Sequence, residues 1–384
     1  MPSDAASPAE ARRQIERMLA EPALSDRRTR AQAHYLLWEV CQICGDPAAA
    51  LDHLAQAIAL DPVQTRPRRA EAPPPERTVL ALAAPGDFQA NLPLAMLLDE
   101  PTLLHTLWIE RPGATLPPLP PVDCVFVAMG EDSCRRALLL EADRVAGETG
   151  LPVLNSGAAI AGLSRDGVCA MLAGIEDCVV PEQNRVTAAR LRHELPTFPF
   201  ILRPESSHAG IGLARIDGQA GLDAYLEATA PAAALFAAPF IDYRDADGLY
   251  RKYRIAFVDR VPFPVHLAIH DDWAVWYYNA RMELSAERRR EEERFLRDPV
   301  AAMGPRAFAA VQALGRRIDL DYAGLDCAVL PDGRLLVFEV ETAMLVHDRD
   351  PPDLFPGKAP AIARIVAAVN AMIDHRSGRM STAA

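Results

Sequence analysis

No window of this 384-residue chain approaches eighteen uninterrupted apolar residues, the length a helix needs to cross a hydrocarbon core. The first twenty residues, Met1 to Ala20, carry Arg, Glu and Asp where a secretory signal needs an apolar stretch. The expectation is a cytoplasmic protein without membrane contact. Positive charge is also in short supply: 40 Lys and Arg against 52 Asp and Glu leave a formal net charge of -12. A nucleic acid finds no general attraction on such a surface, although a local basic cleft can still hold one small anion. Cysteine is odd in number, seven residues scattered without the spacing of a disulfide scaffold, which points to reduced thiols. Cys41 and Cys44 form a C-x-x-C, but no second pair accompanies it and its setting is helical, so packing within a helix is the reading.

Apolar residues are present in plenty, half of the total, and the length suggests two or three folded units. From Arg27 to Asp61 they recur at three and four positions, broken once at Gly45-Asp46-Pro47, which predicts two helices around a tight turn. Leu37, Cys41, Ala50, Leu54, Ala57 and Pro62 stand at the spacing of a single tetratricopeptide repeat, which this hairpin resembles; Trp38 fills a place where that repeat prefers a small residue. One repeat cannot bury both its faces, so the hairpin must lean on residues 8 to 20 or on the main body. A structural appendage and a peptide- or protein-binding module both stay open. Residues 63 to 76, with four prolines and little apolar content, read as a linker region.

Beyond it, apolar runs at 78–84, 124–129 and 151–155 with a helical segment at 131–148 predict a parallel α/β layer. Past residue 195 the pattern changes to strand pairs, at 198–203, 211–216, 233–241, 250–258, 262–269, 273–278, 324–330 and 334–340. Helical segments at 219–229, 285–296, 305–318 and 359–373 intervene, which is α+β territory. The mixed charges of Glu287 to Arg297 read as a solvated helix face. The expected division is a helical unit over 1–66, a linker over 67–76, an α/β domain over 77–160 and a two-lobed body over 161–384.

The most informative stretch is GLDCAVLPDGRLLVFEVE, residues 324 to 341, where two apolar strands flank an Asp332-Gly333 turn. If Pro331 pairs with Arg334, Asp326 falls opposite Glu339 on one face, and Glu341 shares that face. Directly opposed carboxylates repel, and a cation removes the conflict; three converging acids suit magnesium. The alternative is that they pair with Arg or Lys of a neighbouring strand. Upstream, Arg203 closes a strand before a loop of small and polar residues, in which Ser206, Ser207, His208 and the backbone at Gly210 could cradle phosphate. Lys252 and Arg254, two apart, point to one face of a strand, as a phosphate or carboxylate receptor would.

These ordered motifs resemble the ATP-grasp carboxylate-amine ligases, of the glutathione synthetase and RimK-like kind, over residues 78 to 375. The resemblance implies an α+β ATP-grasp fold of two lobes, preceded here by the α/β domain and the all-α hairpin. It implies ATP and Mg2+ as cofactors, with Asp326, Glu339 and Glu341 as metal ligands; Glu341 stands where the family usually has Asn, and Arg203-Pro204 where it has Lys-Pro. It further implies that the segment from Ala233 reads adenine with Asp242 near the ribose. Arg165, Arg203 and Lys252 would bind phosphates, and Arg254 and Arg281 would stabilise charge in transfer. His266, Trp273, Trp276, Asn279, His347 and Lys358 are further candidates near the substrates. The implied reaction converts a carboxylate to an acyl phosphate that an amine attacks; a homodimer is an open alternative. Rival readings are a non-catalytic nucleotide-binding scaffold and a phosphotransferase that stops at a phosphorylated product.

Overall fold

The computed structural model describes residues 7–21, 26–69, 72–194, 197–205, 207 and 210–379. Its chain forms two compact units, Met1–Ala158 with Asn370–Ala384, and Ala159–Val369. Both mix helix and sheet, so the expected α+β class is what the structure has.

In the first unit, helices Pro8–Ala20, Arg27–Ile43 and Pro47–Leu60 follow from their caps. Ser7 and Glu10 close a capping box, Asp26 receives the Thr29 amide, and Asp46 caps the third helix, which has Pro47 in its first turn. Gly45, at φ +75°, supplies the left-handed turn between the two hairpin helices. The hairpin leans on both expected supports. The first helix packs on the second. Trp38, Cys41, Leu54 and Ile58 join Ala83 and Trp108 in one core cluster. Trp38 thus departs from the repeat because its indole is a docking group: it meets Trp108 edge-on at 5.9 Å and donates from Nε1 to the Gly86 carbonyl at 2.9 Å. Cys41 is buried in this packing and Cys44 is exposed, both as free thiols.

The sheet of this unit consists of β1 (Val63–Thr65), β2 (Arg77–Ala83), β3 (Thr102–Trp108), β4 (Cys124–Val127) and β5 (Val153–Leu154), in the order β1-β3-β2-β4-β5. All neighbours are parallel except β1, which runs against β3. Val63–Thr65, read from the sequence as the start of the linker region, is therefore an edge strand. β3 escapes the sequence reading because Thr and His interrupt its leucines, blurring both strand patterns.

The second unit holds two sheets. β6 (Cys178–Val179), β7 (Asn184–Thr187), β8 (Phe200–Pro204), β9 (Ala214–Ile216) and β10 (Ala234–Pro239) come first, and β7-β10-β8-β9 make a four-stranded antiparallel sheet over a core of Phe200, Leu202, Leu222, Leu226 and Leu235. β11 (Tyr250–Val258), β12 (Val261–His270), β13 (Tyr322–Val329) and β14 (Leu335–Glu341) follow, with sheet order β12-β11-β13-β14-β6. Helices Ala286–Arg297 and Pro305–Arg317 pack against it. Pro262 and Pro264 lie in β12, an edge strand, where a missing N–H is tolerated.

Two expectations change here. Residues 273–278 form turns rather than a strand. The Asn279 side chain accepts from the Trp276 amide at 2.9 Å and donates to the Ala274 carbonyl at 2.7 Å, ties that compete with a ladder. The turn after β13 spans three residues, not two: the Leu330 amide donates to the Arg334 carbonyl, and Gly333 sits at φ +85°. A bulge at Phe338, between Cys327↔Val337 and Asp326↔Glu339, compensates by one residue. The two departures cancel, and Asp326 lies opposite Glu339 as counted from the sequence.

Candidate active site

The second unit gathers seven of the singled-out charged residues into one network. Asp326, on β13, is fully buried, and Arg254 lies directly across from it on β11. Arg254 donates from Nε to Asp326 Oδ1 at 2.8 Å and from Nη2 to Oδ2 at 3.1 Å, while Lys252 Nζ stands 2.6 Å from Oδ2. Arg254 Nη2 also reaches Glu341 Oε2 at 3.0 Å. On the other side Arg165, in the helix Arg165–Leu172, donates to Glu339 Oε2 at 2.7 Å, and Arg203, on β8, stands 3.7 Å from the same atom. Four cations thus surround three acids, drawn from one helix and both sheets.

The ionisation of these groups follows from that geometry. Burial alone would raise Asp326, but Arg254 and Lys252 outweigh it and hold the carboxyl well below its usual range. Glu339 is likewise brought down to about 2, burial being outweighed by Arg165. Glu341 goes the other way: burial, with Asp326 and Glu339 adding, overcomes Arg254 and pushes it up to about 7. Arg203 is pushed down to about 10 by burial and then by Arg165.

Among the described residues no group of three or more His, Cys, Asp or Glu could hold a metal ion. Both oxygens of Asp326 receive three nitrogen donors in all, so Asp326, expected as a metal ligand, fixes two cations in this structure. The pairing with a neighbouring strand, the alternative reading of this hairpin, is the one present. Its physical reason is register: β11 lies beside β13, which the hairpin sequence alone does not show. The contacts of Glu339 and Glu341 run through Oε2, leaving Oε1 of each outside these ion pairs on partly exposed side chains.

Ser207 is buried, and its role is supportive. Its carbonyl accepts from Arg203 Nη2 at 2.6 Å and from Arg165 Nη2 at 3.5 Å, and its hydroxyl donates to the Pro204 carbonyl at 2.8 Å. Gly210 lies in the same loop at φ +74°; Ser206 and His208 lie outside the described residues. Gly212, at φ +69°, faces Pro204, where an added Cβ would come within 2.7 Å of Cδ. Asp242 is exposed and accepts from the Arg244 amide at 3.1 Å, closing a turn. Arg281 is exposed, at φ +45°, and has no ion pair among the described residues.

Beside the network lies a second group that sequence reasoning only partly found. Lys358 is buried, 2.9 Å from Glu292 Oε1 and 3.4 Å from Asp350 Oδ2, with its Nζ over the Tyr277 ring at 4.7 Å. Tyr277 donates its hydroxyl to Asp350 and packs against His266 at 4.8 Å. Glu292, read as part of a solvated face, is buried. The available signal was its spacing, three and four residues before Phe295 and Leu296 on the apolar side of its helix. His347 Nδ1 accepts from the Arg349 amide at 3.3 Å, and its ring lies 6.1 Å from that of Tyr277.

No family model matches the sequence, and no curated protein matches it at the level of sequence. Among solved structures, the chain is similar to the D-alanine–D-alanine ligase of Bacillus anthracis in complex with ATP: 15% identity, 79% of this chain and 97% of that one, TM-score 0.48. The D-Ala:D-Ser ligase VanG of Enterococcus faecalis gives 13% identity over 77% and 99%, TM-score 0.47. A RimK domain ATP-grasp protein of Sphaerobacter thermophilus gives 15% over 76% and 98%, TM-score 0.45. These similarities are likenesses of fold.

Proposed function

We propose that the second unit binds ATP over this ion-pair network and uses it to activate a carboxylate as an acyl phosphate, which an amine then attacks to form an amide, with ADP and phosphate released. One observation carries the reading: four cations and three acids from separate elements are held together, only partly exposed, with one positive charge in excess. As stability devices such charges are poor, since burying them costs more than their attraction returns unless every group is matched. As a receptor for a polyphosphate they are well suited.

The chain's own residues divide the work. Arg203 and Arg165, steadied by the Ser207 carbonyl, face phosphate from one side. Lys252 and Arg254, fixed by Asp326, do so from the other. Cations held in place before the ligand arrives need no reorganisation when charge moves between the phosphate and the acid. Magnesium, where bound, would be held by the partly exposed carboxylates of Glu339 and Glu341 and would supply screening of the polyphosphate charge. Holding acid, phosphate and amine in line contributes about 7–11 kcal/mol, and no side-chain nucleophile is required.

A second reading is favoured by one feature. The network is close to self-neutralised, because Asp326 already has both oxygens matched, so it can persist in a non-catalytic nucleotide-binding scaffold. Calorimetry with ATP, with and without magnesium, tests both readings together; no heat of binding at millimolar nucleotide sinks them. ADP release against pools of carboxylic acids and amines then separates them. The ligase gives ADP only when both acid and amine are present, and the scaffold gives none.

A further inference from the structure

The loop between β12 and the helix Ala286–Arg297 carries an exposed aromatic surface that the nucleotide reading does not use. Trp276 is 45% exposed and Tyr278 71%, and their rings meet edge-on at 5.6 Å. Tyr278 meets Tyr277 at 5.6 Å, and Tyr277 meets His266 at 4.8 Å. His266 lies directly across from Arg254 in the ladder between β11 and β12, so these rings run outward from the edge of the ion-pair network. Contiguous apolar surface of this kind is seldom left in water without a binding role. The wall is also held in shape. Asn279 ties the backbone at Ala274 and Trp276, and Tyr277 is clamped by Asp350 and Lys358.

A second observation is independent of the rings. His266 Nδ1 is buried and has no hydrogen-bond partner among the described residues. A buried polar atom without a partner is costly, and it calls for a ligand that completes it. Three cations, Lys358, Arg254 and Lys252, act on this imidazole against one acid, Asp326, which favours an anionic partner.

Resting on the ligase reading, we infer that the acid activated here carries an aromatic group, its carboxylate received at His266 beside Arg254 and Lys252 and its ring lying along Tyr277, Tyr278 and Trp276. This places the carboxylate where the phosphates gather and leaves its apolar end on the open wall. The step it undergoes balances: a carboxylate oxygen bonds to the γ-phosphorus as the bond from that phosphorus to the bridging oxygen of ADP breaks. The incoming amine then displaces phosphate, one of its protons leaving with phosphate.

Two measurements on the full chain test this. The first is calorimetric binding of 3-phenylpropionate and of acetate, with ATP present, to the wild type and to Trp276→Ala/Tyr278→Ala, positions exposed enough for the fold to tolerate the change. The expected result is a wild-type preference for 3-phenylpropionate that shrinks about tenfold in the double variant, the size of two lost ring contacts. Equal affinity for the two acids, or a preference that survives the double substitution, overturns the inference. The second uses hydroxylamine as the amine, which traps an acyl phosphate as hydroxamate whatever the natural amine is. Hydroxamate from 3-phenylpropionate in preference to acetate supports both readings. Selective binding without hydroxamate overturns the ligase reading and keeps the ligand assignment; hydroxamate from acetate at the same efficiency keeps the ligase and overturns the aromatic acid.

Discussion

Each unit contains an arginine between two acids, and the two are built to different ends. Arg77, at the start of β2, has every nitrogen matched: Nε to Thr102, Nη1 to Asp374 and the Asn370 carbonyl, Nη2 to both oxygens of Asp99. One cation meets two acids, and no guanidinium nitrogen is left without an acceptor. Arg254 belongs to a group in which cations outnumber acids, two carboxylate oxygens stay outside the ion pairs, and the side chains reach partial exposure. A closed arrangement fixes a fold, whereas an open one with surplus charge is completed by something else.

The largest expected effects test that contrast directly. Arg77→Met and Asp326→Asn each remove one side of a buried charge group and should each cost about 3–5 kcal/mol in urea unfolding. Only Asp326→Asn should also abolish ATP binding by calorimetry, since it releases Lys252 and Arg254. Loss of nucleotide affinity in Arg77→Met would break the comparison. Next comes Trp38→Ala, which removes the indole that docks the hairpin and should cost about 3–5 kcal/mol with nucleotide affinity retained. Glu339→Gln sharpens the contrast from the other side: it leaves Arg165 and Arg203 without their acid, and amine-dependent ADP release should fall about a hundredfold or more. Full turnover in that variant would remove Glu339 from the site.

The smallest effect is confined to the first unit. His34 and His53 meet Nδ1 to Nδ1 at 3.1 Å across the hairpin. His34 is held below its ordinary value by burial and then by His53, and His53 by burial and then by Arg12; Glu16, Asp46 and Asp52 act on His53 in the opposite sense. Both folded-state values are depressed, so their contribution is complete above the ordinary imidazole value of 6.5 and is lost as pH falls below it. Melting should therefore drop by roughly a few degrees between about pH 7.5 and about pH 5.5, and His53→Gln should flatten that slope. An identical slope in the variant would assign the pH dependence to other groups.

Much of the fold was legible where local chemistry and periodicity agree. The hairpin of helices followed from its Gly-Asp-Pro turn and its three-and-four spacing, and β11 to β14 from their paired apolar runs. Elements that lack a local signal were not: β1 has a linker's composition, β3 a broken pattern, and 273–278 the composition of a strand that one asparagine holds as a loop. At the site, the basic and acidic residue types were readable, and so was their sidedness on each strand. Tyr277, Glu292 and Asp350 went unseen because their meaning lies in partners many residues away.

By itself the sequence determined which residues alternate to which face, and hence that Asp326, Glu339 and Glu341 share one side, because side-chain period is a local property of the backbone. Only the tertiary structure decided what stands opposite them. Strand order is set by packing between distant segments; it put β11 beside β13, so Arg254 and Lys252 claim Asp326, and it left Glu339 and Glu341 the more accessible carboxylates.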